Sequence, residues 1–474
     1  MIKKSAGSGA IKIAVTVFAA LAVIAAAFLS GFYLHKYTQP EQVNSYQWVV
    51  DTIKENYYYD LSDEEIFYSS MAGVSNVSLD PYSEYYTKEE YENVYSSNSG
   101  NRRGVGISYT FIDNDFKNYH PQSKGGVLIS SVIGGSPAFI SGLRAGEFIT
   151  AVKYGGVTHT FASSDEFSDC IDSIPDNTDF VLVSDRNESG YTVSKQDYRE
   201  SYCVMYTATA EYSIVYENGT GHVVIDEEKG LNSVLDGASE IAELTDGVAY
   251  LRLDQFFGNC ANEMAALIGY FNAERCTSLI FDLRSNGGGY ADDVCVISDI
   301  FTGELDSRNP VAMCAEYKNK KKTYFYVEDR YSGNQQLPKG TKVSVLADNG
   351  TASASEAMIG VLIDNGVIDY GDIYISDFDN NYVNYMKAVY NNPDLDIKNK
   401  RTYGKGIMQT TFINDDTGEA LKLTTAKIYW PKGETCIHDV GLTAQNGCNL
   451  LPAKWDVQYG DPQLKEAIKT ICGR

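Results

Sequence analysis

The sequence predicts an α/β multidomain chain with an N-terminal membrane helix, a helical segment, a β-rich domain and an α/β core. Three observations carry this. An uncharged apolar run covers Ile13 to Leu34; short strand-like runs punctuated by glycine fill residues 102–193; and apolar strands alternate with amphipathic stretches from about Ser194 onward. Strand and helix in alternation point to an α/β layer architecture.

The apolar run is 22 residues long and follows Lys3, Lys4 and Lys12. That length spans a bilayer as one helix, and basic residues before it place the N-terminus in the cytoplasm. Residues 1–12 then form a cytoplasmic tail, 13–34 a signal anchor, and the remainder lies outside the cytoplasm at the cell membrane. Ala25-Ala26-Ala27 leaves a cleaved signal peptide open as the alternative. Residues 35–100 read as helical: Tyr46 to Lys54 has apolar residues at helical spacing, and Ser62-Asp-Glu-Glu65 forms a capping box. The β-rich domain spans 101–193, with strands expected at Gly126–Val132, Phe148–Val152 and Phe180–Val183.

The core is expected over 194–474. Its strands include Gly247–Leu253 and Ser278–Leu283, its helices Ala261–Phe271 and Glu356–Asn365. Ile373 to Lys400 is polar, rich in Tyr and Asn and weakly periodic, and reads as an insertion or loop. The chain of 474 residues is 43% apolar and carries a formal charge of −24. Such acidity excludes nucleic acid as the main partner, because neutralising phosphates needs clustered Lys and Arg. The nine cysteines show no framework spacing, and the five histidines form no zinc-type motif. No metal or other cofactor is expected.

Three motifs carry candidate chemistry. In Asn349-Gly-Thr-Ala-Ser-Ala-Ser-Glu356, Ser353 opens a helix after a strand-like run. It is either the cap of a Ser-x-x-Glu box or a nucleophile whose oxyanion would meet the helix N-terminal amides. In Thr402-Tyr-Gly-Lys-Gly-Ile-Met-Gln409, Lys405 and Gln409 are four apart and share a face in a helix or a strand. A lysine works as a base at neutral pH only if burial lowers its pKa by about three units; the other reading is a surface lysine in a glycine turn. Leu279-Ile-Phe-Asp-Leu-Arg-Ser-Asn-Gly-Gly-Gly289 runs a strand into a glycine triplet whose amides could line an oxyanion hole, or simply make a tight turn.

Together, and in this order, the three motifs resemble the C-terminal processing (tail-specific) serine protease family. Leu79-Asp-Pro-Tyr-Ser-Glu-Tyr-Tyr86, Ala249 to Phe256 and Tyr429-Trp-Pro-Lys-Gly433 extend the resemblance to roughly residues 46–442. The resemblance implies a serine endopeptidase with Ser353 as nucleophile, Lys405 as general base, Gln409 as orienter of Lys405, and Gly288 and Ala354 as oxyanion amides. It also implies a crotonase/Clp-like core. In the β-rich domain Gly104-Val105-Gly106-Ile107 resembles the carboxylate-binding loop of a PDZ domain, and Gly135-Ser-Pro-Ala138 with Gly142 to Ile149 resembles its later signature. Such a groove binds chain ends by β-augmentation.

The partners implied are protein substrates with apolar C-terminal tails, and a second copy of the chain through the terminal helices. One departure stands out. Ser353 and Lys405 are 52 residues apart, roughly twice the family's separation, and the excess falls in 373–400, a candidate lid or inhibitory segment. The competing readings are a catalytically silent anchored PDZ scaffold and a crotonase-type acyl-CoA enzyme.

Overall fold

The computed structural model describes residues 41–56, 62–112, 126–231, 246–380, 383–384, 387, 398–453 and 462–472. The candidate membrane helix lies outside the described residues, and among the described residues no helix is long and apolar enough to cross a membrane.

The chain divides into two units, the first ending at Pro81 and the second running from Tyr82. The first holds α1 (Glu41–Asn56) and α2 (Asp63–Ser78). The expected box opens α2: the Ser62 hydroxyl accepts the Glu65 N–H, and the Glu65 carboxylate takes the Ser62 N–H at 2.7 Å.

The second unit begins with β1 (Glu84–Tyr86), α3 (Lys88–Asn98) and β2 (Asn101–Gly104). Next come β3 (Ile107–Ile112), β4 (Gly126–Val132), α4 (Pro137–Ile140), β5 (Phe148–Tyr154), β6 (Val157–His159), α5 (Ser164–Ser173), β7 (Phe180–Ser184) and β8 (Tyr191–Val193). These strands form a six-stranded antiparallel sheet with β3 at one edge. Its own core gathers Val127, Ile129, Leu143, Val152, Phe167 and Leu182. The strands expected at Gly126–Val132, Phe148–Val152 and Phe180–Val183 fall in β4, β5 and β7. β9 (Gln196–Arg199) pairs with β2, so two antiparallel strands lead in and out of it.

The remaining core elements are β10 (Cys203–Tyr206), β11 (Glu211–Glu217), β12 (Thr220–Asp226), β13 (Val248–Leu253), α6 (Cys260–Ala273), β14 (Ser278–Asp282), α7 (Ala291–Thr302), β15 (Val311–Tyr317), β16 (Lys322–Tyr326), β17 (Lys342–Ala347), α8 (Ala354–Asp364), β18 (Ile373–Phe378), β19 (Ile407–Ile413), β20 (Ala420–Tyr429), β21 (Asn449–Ala453) and α9 (Pro462–Cys472). An eight-stranded sheet runs β12-β11-β10-β13-β14-β17-β18-β21, with β13 to β21 parallel. Parallel strands covered on both faces read as continuous apolar runs, as β13 and β14 do. A second sheet sets β1, β20, β15 and β16 side by side, with β19 on β20.

Ile373–Phe378 corrects the sequence reading: it is a strand inside the large sheet, between β17 and β21, and not the start of a loop. Its polar members misled the pattern, since Tyr374 and Ser376 are both buried. The excursion begins after Phe378, and its neck is closed by Asn399, which accepts the Phe378 N–H at 2.9 Å and donates to the Phe378 carbonyl at 2.8 Å. Half of the candidate lid, residues 381–382, 385–386 and 388–397, falls outside the described residues. The eight described cysteines whose pairing is defined are free thiols.

Candidate active site

β14 and β17 are parallel neighbours, so their C-terminal ends lie side by side and their outgoing loops meet. In parallel sheets this end is where sites assemble. The loops are laced: Leu283 N–H donates to the Leu346 carbonyl at 2.9 Å, Thr351 Oγ1 to the Leu283 carbonyl at 2.8 Å, and Ala352 N–H to the Asn286 carbonyl at 3.0 Å. Beneath the glycine triplet, fully buried Asp282 receives Arg284 through Nη2 at 2.6 Å and Tyr250 OH at 2.6 Å. Burial alone would raise the Asp282 carboxyl, but Arg284, Arg252 and Tyr250 outweigh it and hold it below the usual carboxylate range.

Ser353 sits where β17 turns into α8, with φ +57° and ψ −114°. A positive φ on a residue with a Cβ costs roughly 1–3 kcal/mol and collects at functional sites. Glu356 reaches back to the Ser353 N–H at 3.0 Å. Ala354 supplies the first amide of α8, one of those with no intrahelical acceptor. α8 is buried from Ala354 to Leu362, which fixes this N-terminus rigidly.

Gly288 lies directly against Ser353: a Cβ there would come within 2.8 Å of Ser353 Cβ, of the Ala354 nitrogen and of the Ala352 carbonyl. Only glycine fits, and its φ of +100° demands glycine as well. Its amide departs from the expectation, however. Gly288 N–H donates to Asn286 Oδ1 at 2.9 Å, and Asn286 is held by its own bond to the Leu253 carbonyl at 2.7 Å. The neighbouring amide is thus engaged within its own turn.

Lys405 arrives through Glu356. This fully buried carboxylate accepts four donors: Thr402 Oγ1 at 2.6 Å and Gly404 N–H at 2.8 Å on Oε1, and Ser353 N–H at 3.0 Å and Lys405 N–H at 2.9 Å on Oε2. One oxygen therefore joins the backbones of residues 353 and 405. Burial pushes the Glu356 carboxyl up, while Thr402, Lys405, Gly404 and Ser353 pull it back only in part. Tyr403 N–H donates to the Thr351 carbonyl at 3.0 Å, a second tie between the loops. The sequence reading treated Glu356 as a local cap and missed its reach to the lysine loop.

Gln409 lies in β19, and Lys405 precedes that strand. A bulge between Met408 and Gln409 breaks the alternation, so the spacing of four does not by itself set the two on one face. Gln409 Nε2 donates to Thr424 Oγ1 at 2.9 Å, which leaves Oε1 as the end able to accept from an amine. In the small domain Gly104 ends β2, and Ile107 begins β3. Between them the Val105 carbonyl takes the Ala138 N–H at 3.0 Å and the Gly106 carbonyl takes the Ile133 N–H at 2.9 Å. Among the described residues no cluster of His, Cys, Asp and Glu could hold a metal ion.

Residues 247–370 match the model of peptidase family S41. Over that segment the chain is similar to peptidase family S41. The matched segment contains Gly288, Ser353 and Glu356 but ends before Lys405. A "Probable CtpA-like serine protease" of Staphylococcus epidermidis is 26% identical over 408 residues, covering 85% of this chain and 65% of that relative. The chain thus spans just under two thirds of that relative's length. A protein of the same description from Staphylococcus saprophyticus is 24% identical over 443 residues, with 91% and 72% covered. Among solved structures, a photosystem II D1 C-terminal processing protease overlays with TM-score 0.40 at 17% identity, covering 82% of each chain. A "Putative S41 protease" of Bacteroides fragilis overlays with TM-score 0.49 at 15% identity, covering 90% of this chain and 97% of that one.

Proposed function

We propose that this chain is an S41-type serine endopeptidase with a Ser-Lys pair. The observation that supports it best is the shared Glu356 oxygen, which ties Ser353 and Lys405 together across 52 residues. Neutral Lys405 takes the proton of Ser353 Oγ as Oγ bonds to the substrate carbonyl carbon. The oxyanion is stabilised by the Ala354 amide at the positive end of α8. The carbon–nitrogen bond then breaks, the Lys405 ammonium returns the proton to the leaving amine, and water hydrolyses the acyl-enzyme. For Gly288 to add a second donor, its amide has to turn away from Asn286, and substrate binding in the turn would supply that exchange. Gln409 orients the amine through its Oε1.

The substrates are protein chains with apolar C-terminal tails, delivered by the small domain acting as a PDZ module. β3 is the edge strand of its sheet, and helix α5 packs on it through Phe167, whose ring lies 4.7 Å from that of Tyr109. An edge strand beside a helix is the arrangement that adds a peptide as an extra strand, with the Gly104–Ile107 loop at its end. Residues 13–34 anchor the chain, and the catalytic part works outside the cytoplasm.

The test compares the full chain in detergent with Ser353→Ala and Lys405→Ala on an unfolded reporter carrying an apolar C-terminal tail. Cleavage by the parent and by neither variant supports the mechanism. Equal cleavage by all three rejects it, and tail binding with no cleavage by any of them transfers the case to an anchored scaffold.

A further inference from the structure

The Lys405 ammonium lies over the ring of Tyr82, with Nζ 4.5 Å from the centroid. Tyr82 OH shares a 2.9 Å hydrogen bond with Tyr403 OH. Tyr403 in turn carries a second ammonium: Lys398 Nζ lies 4.1 Å from its ring centroid and donates to its carbonyl at 3.3 Å. Two lysines and two tyrosines thus form a ladder from the segment before β1 to the loop that holds the candidate base.

We propose that Tyr82 is a positioning residue for Lys405: its ring holds the ammonium in the resting enzyme and sets the pH above which the amine acts as a base. The inference rests on the Ser-Lys reading. A ring face attracts a cation and not a neutral amine, so the contact favours the protonated lysine. Its usual strength corresponds to about half a pH unit at an exposed site and about one and a half when desolvated. The base must leave that state before it can take the Ser353 proton, so Tyr82 works against proton abstraction while fixing where the amine starts. The lysine keeps a defined address instead of ranging through solvent, at the cost of a higher working pH.

Other groups around Lys405 also act on its charge. Glu356 lies beneath its backbone and favours the ammonium, whereas Lys398, beyond Tyr403, opposes it. From the segment behind, His438 packs against Gly406, and Asp439 donates its N–H to the Gly404 carbonyl at 2.8 Å.

The experiment uses the full chain with three residues at position 82: Leu, Phe, and a trifluorinated Phe that keeps the ring's shape while weakening its negative face. Two readouts are taken. One is the pH profile of kcat/KM, and the other is the pH dependence of Lys405 acetylation by mass spectrometry in a Ser353→Ala background, which needs no activity. Tyr82→Phe is expected to keep the parent midpoint, and fluorination and Tyr82→Leu are expected to lower it by about 0.5 to 1.5 units, with a reduced plateau for Leu. A plateau that falls while the acetylation midpoint stays fixed in the fluorinated and Leu proteins overturns the proposal, because a merely structural role does that. If Tyr82→Leu does not fold, the Phe and fluorinated pair decides alone. A midpoint that moves while Ser353→Ala still cleaves the reporter sinks the Ser-Lys reading, and the role of Tyr82 with it, but leaves the ring contact standing.

Discussion

Replacing Glu356 tests whether one buried carboxylate assembles the site. In Glu356→Ala all four donors, Thr402 Oγ1 and the amides of Gly404, Lys405 and Ser353, lose their acceptor in a position with no solvent exposure. Each buried donor left unpaired costs about 1–3 kcal/mol, so even with partial relaxation the loss should exceed about 4 kcal/mol. Glu356→Gln is gentler, because the amide keeps one oxygen. With that oxygen on the Ser353 and Lys405 side, its NH2 faces Thr402 and Gly404. Thr402 Oγ1 can turn to accept, and only the Gly404 N–H is stranded, for about 1–3 kcal/mol. Urea unfolding at unchanged slope measures both. The same order should appear in kcat/KM: a displacement of about 1 Å between nucleophile and base costs on the order of a hundredfold, so Ala falls at least that far and Gln much less. Alanine within about 0.5 kcal/mol of the parent, a range typical of inert surface positions, would refute the clamp, and so would glutamine proving worse than alanine.

Three further outcomes follow from single side chains. Burial raises the Glu263 carboxyl to about 7 against the pull of Tyr216, Tyr202 and Cys203. A carboxyl raised in the fold contributes stability below its unfolded value near 4.5 and loses it as pH climbs through about 7. Glu263→Gln should therefore flatten stability between pH 4.5 and 7, read by unfolding at a series of pH values. Asp282→Asn leaves Arg284 without its anion at a buried site and should cost about 3–5 kcal/mol, measured by denaturant unfolding. At Gly360 an added Cβ would come within 2.3 Å of the Trp430 ring; Gly360→Ala should cost about 1–3 kcal/mol by overpacking, visible as a lower Tm.

Local patterns in the sequence located most elements because local physics decides them. Phe148–Tyr154, Phe180–Ser184 and Val248–Leu253 are apolar runs bounded by turn residues, and they are strands. What stayed hidden depends on distant partners. Ile373–Phe378 looked like loop because Tyr374 and Ser376 interrupt its apolar pattern; their burial follows from the neighbouring strands, and Ser376 Oγ is satisfied by the Ala347 carbonyl at 3.3 Å. The bulge that separates Gln409 from the simple strand register arises from pairing with β20 and has no marker in the motif. Glu356 is the sharpest case. Its position three after Ser353 reads as a cap, and nothing nearby shows that its other oxygen serves residues 402 and 404.

The capping grammar itself separates Ser353 from its look-alikes. Ser62, Thr87 and Ser163 stand three before a glutamate as Ser353 does, and all three have φ between −149° and −61° with the hydroxyl accepting from that glutamate's amide. Ser353 keeps the pattern, with Glu356 reaching back to its N–H, yet has φ +57°. It bears backbone strain of about 1–3 kcal/mol, so the fold loses stability at the residue packed against Gly288. If that strain belongs to the backbone, Ser353→Gly and Ser353→Ala should be equally inactive but unequal in stability. Glycine accepts positive φ and alanine does not, so the glycine variant should unfold at higher urea, by about 1 kcal/mol after its own entropy cost. An alanine variant as stable as the glycine variant would show that the turn relaxes without strain, and that the hydroxyl's position has to be explained by its neighbours alone.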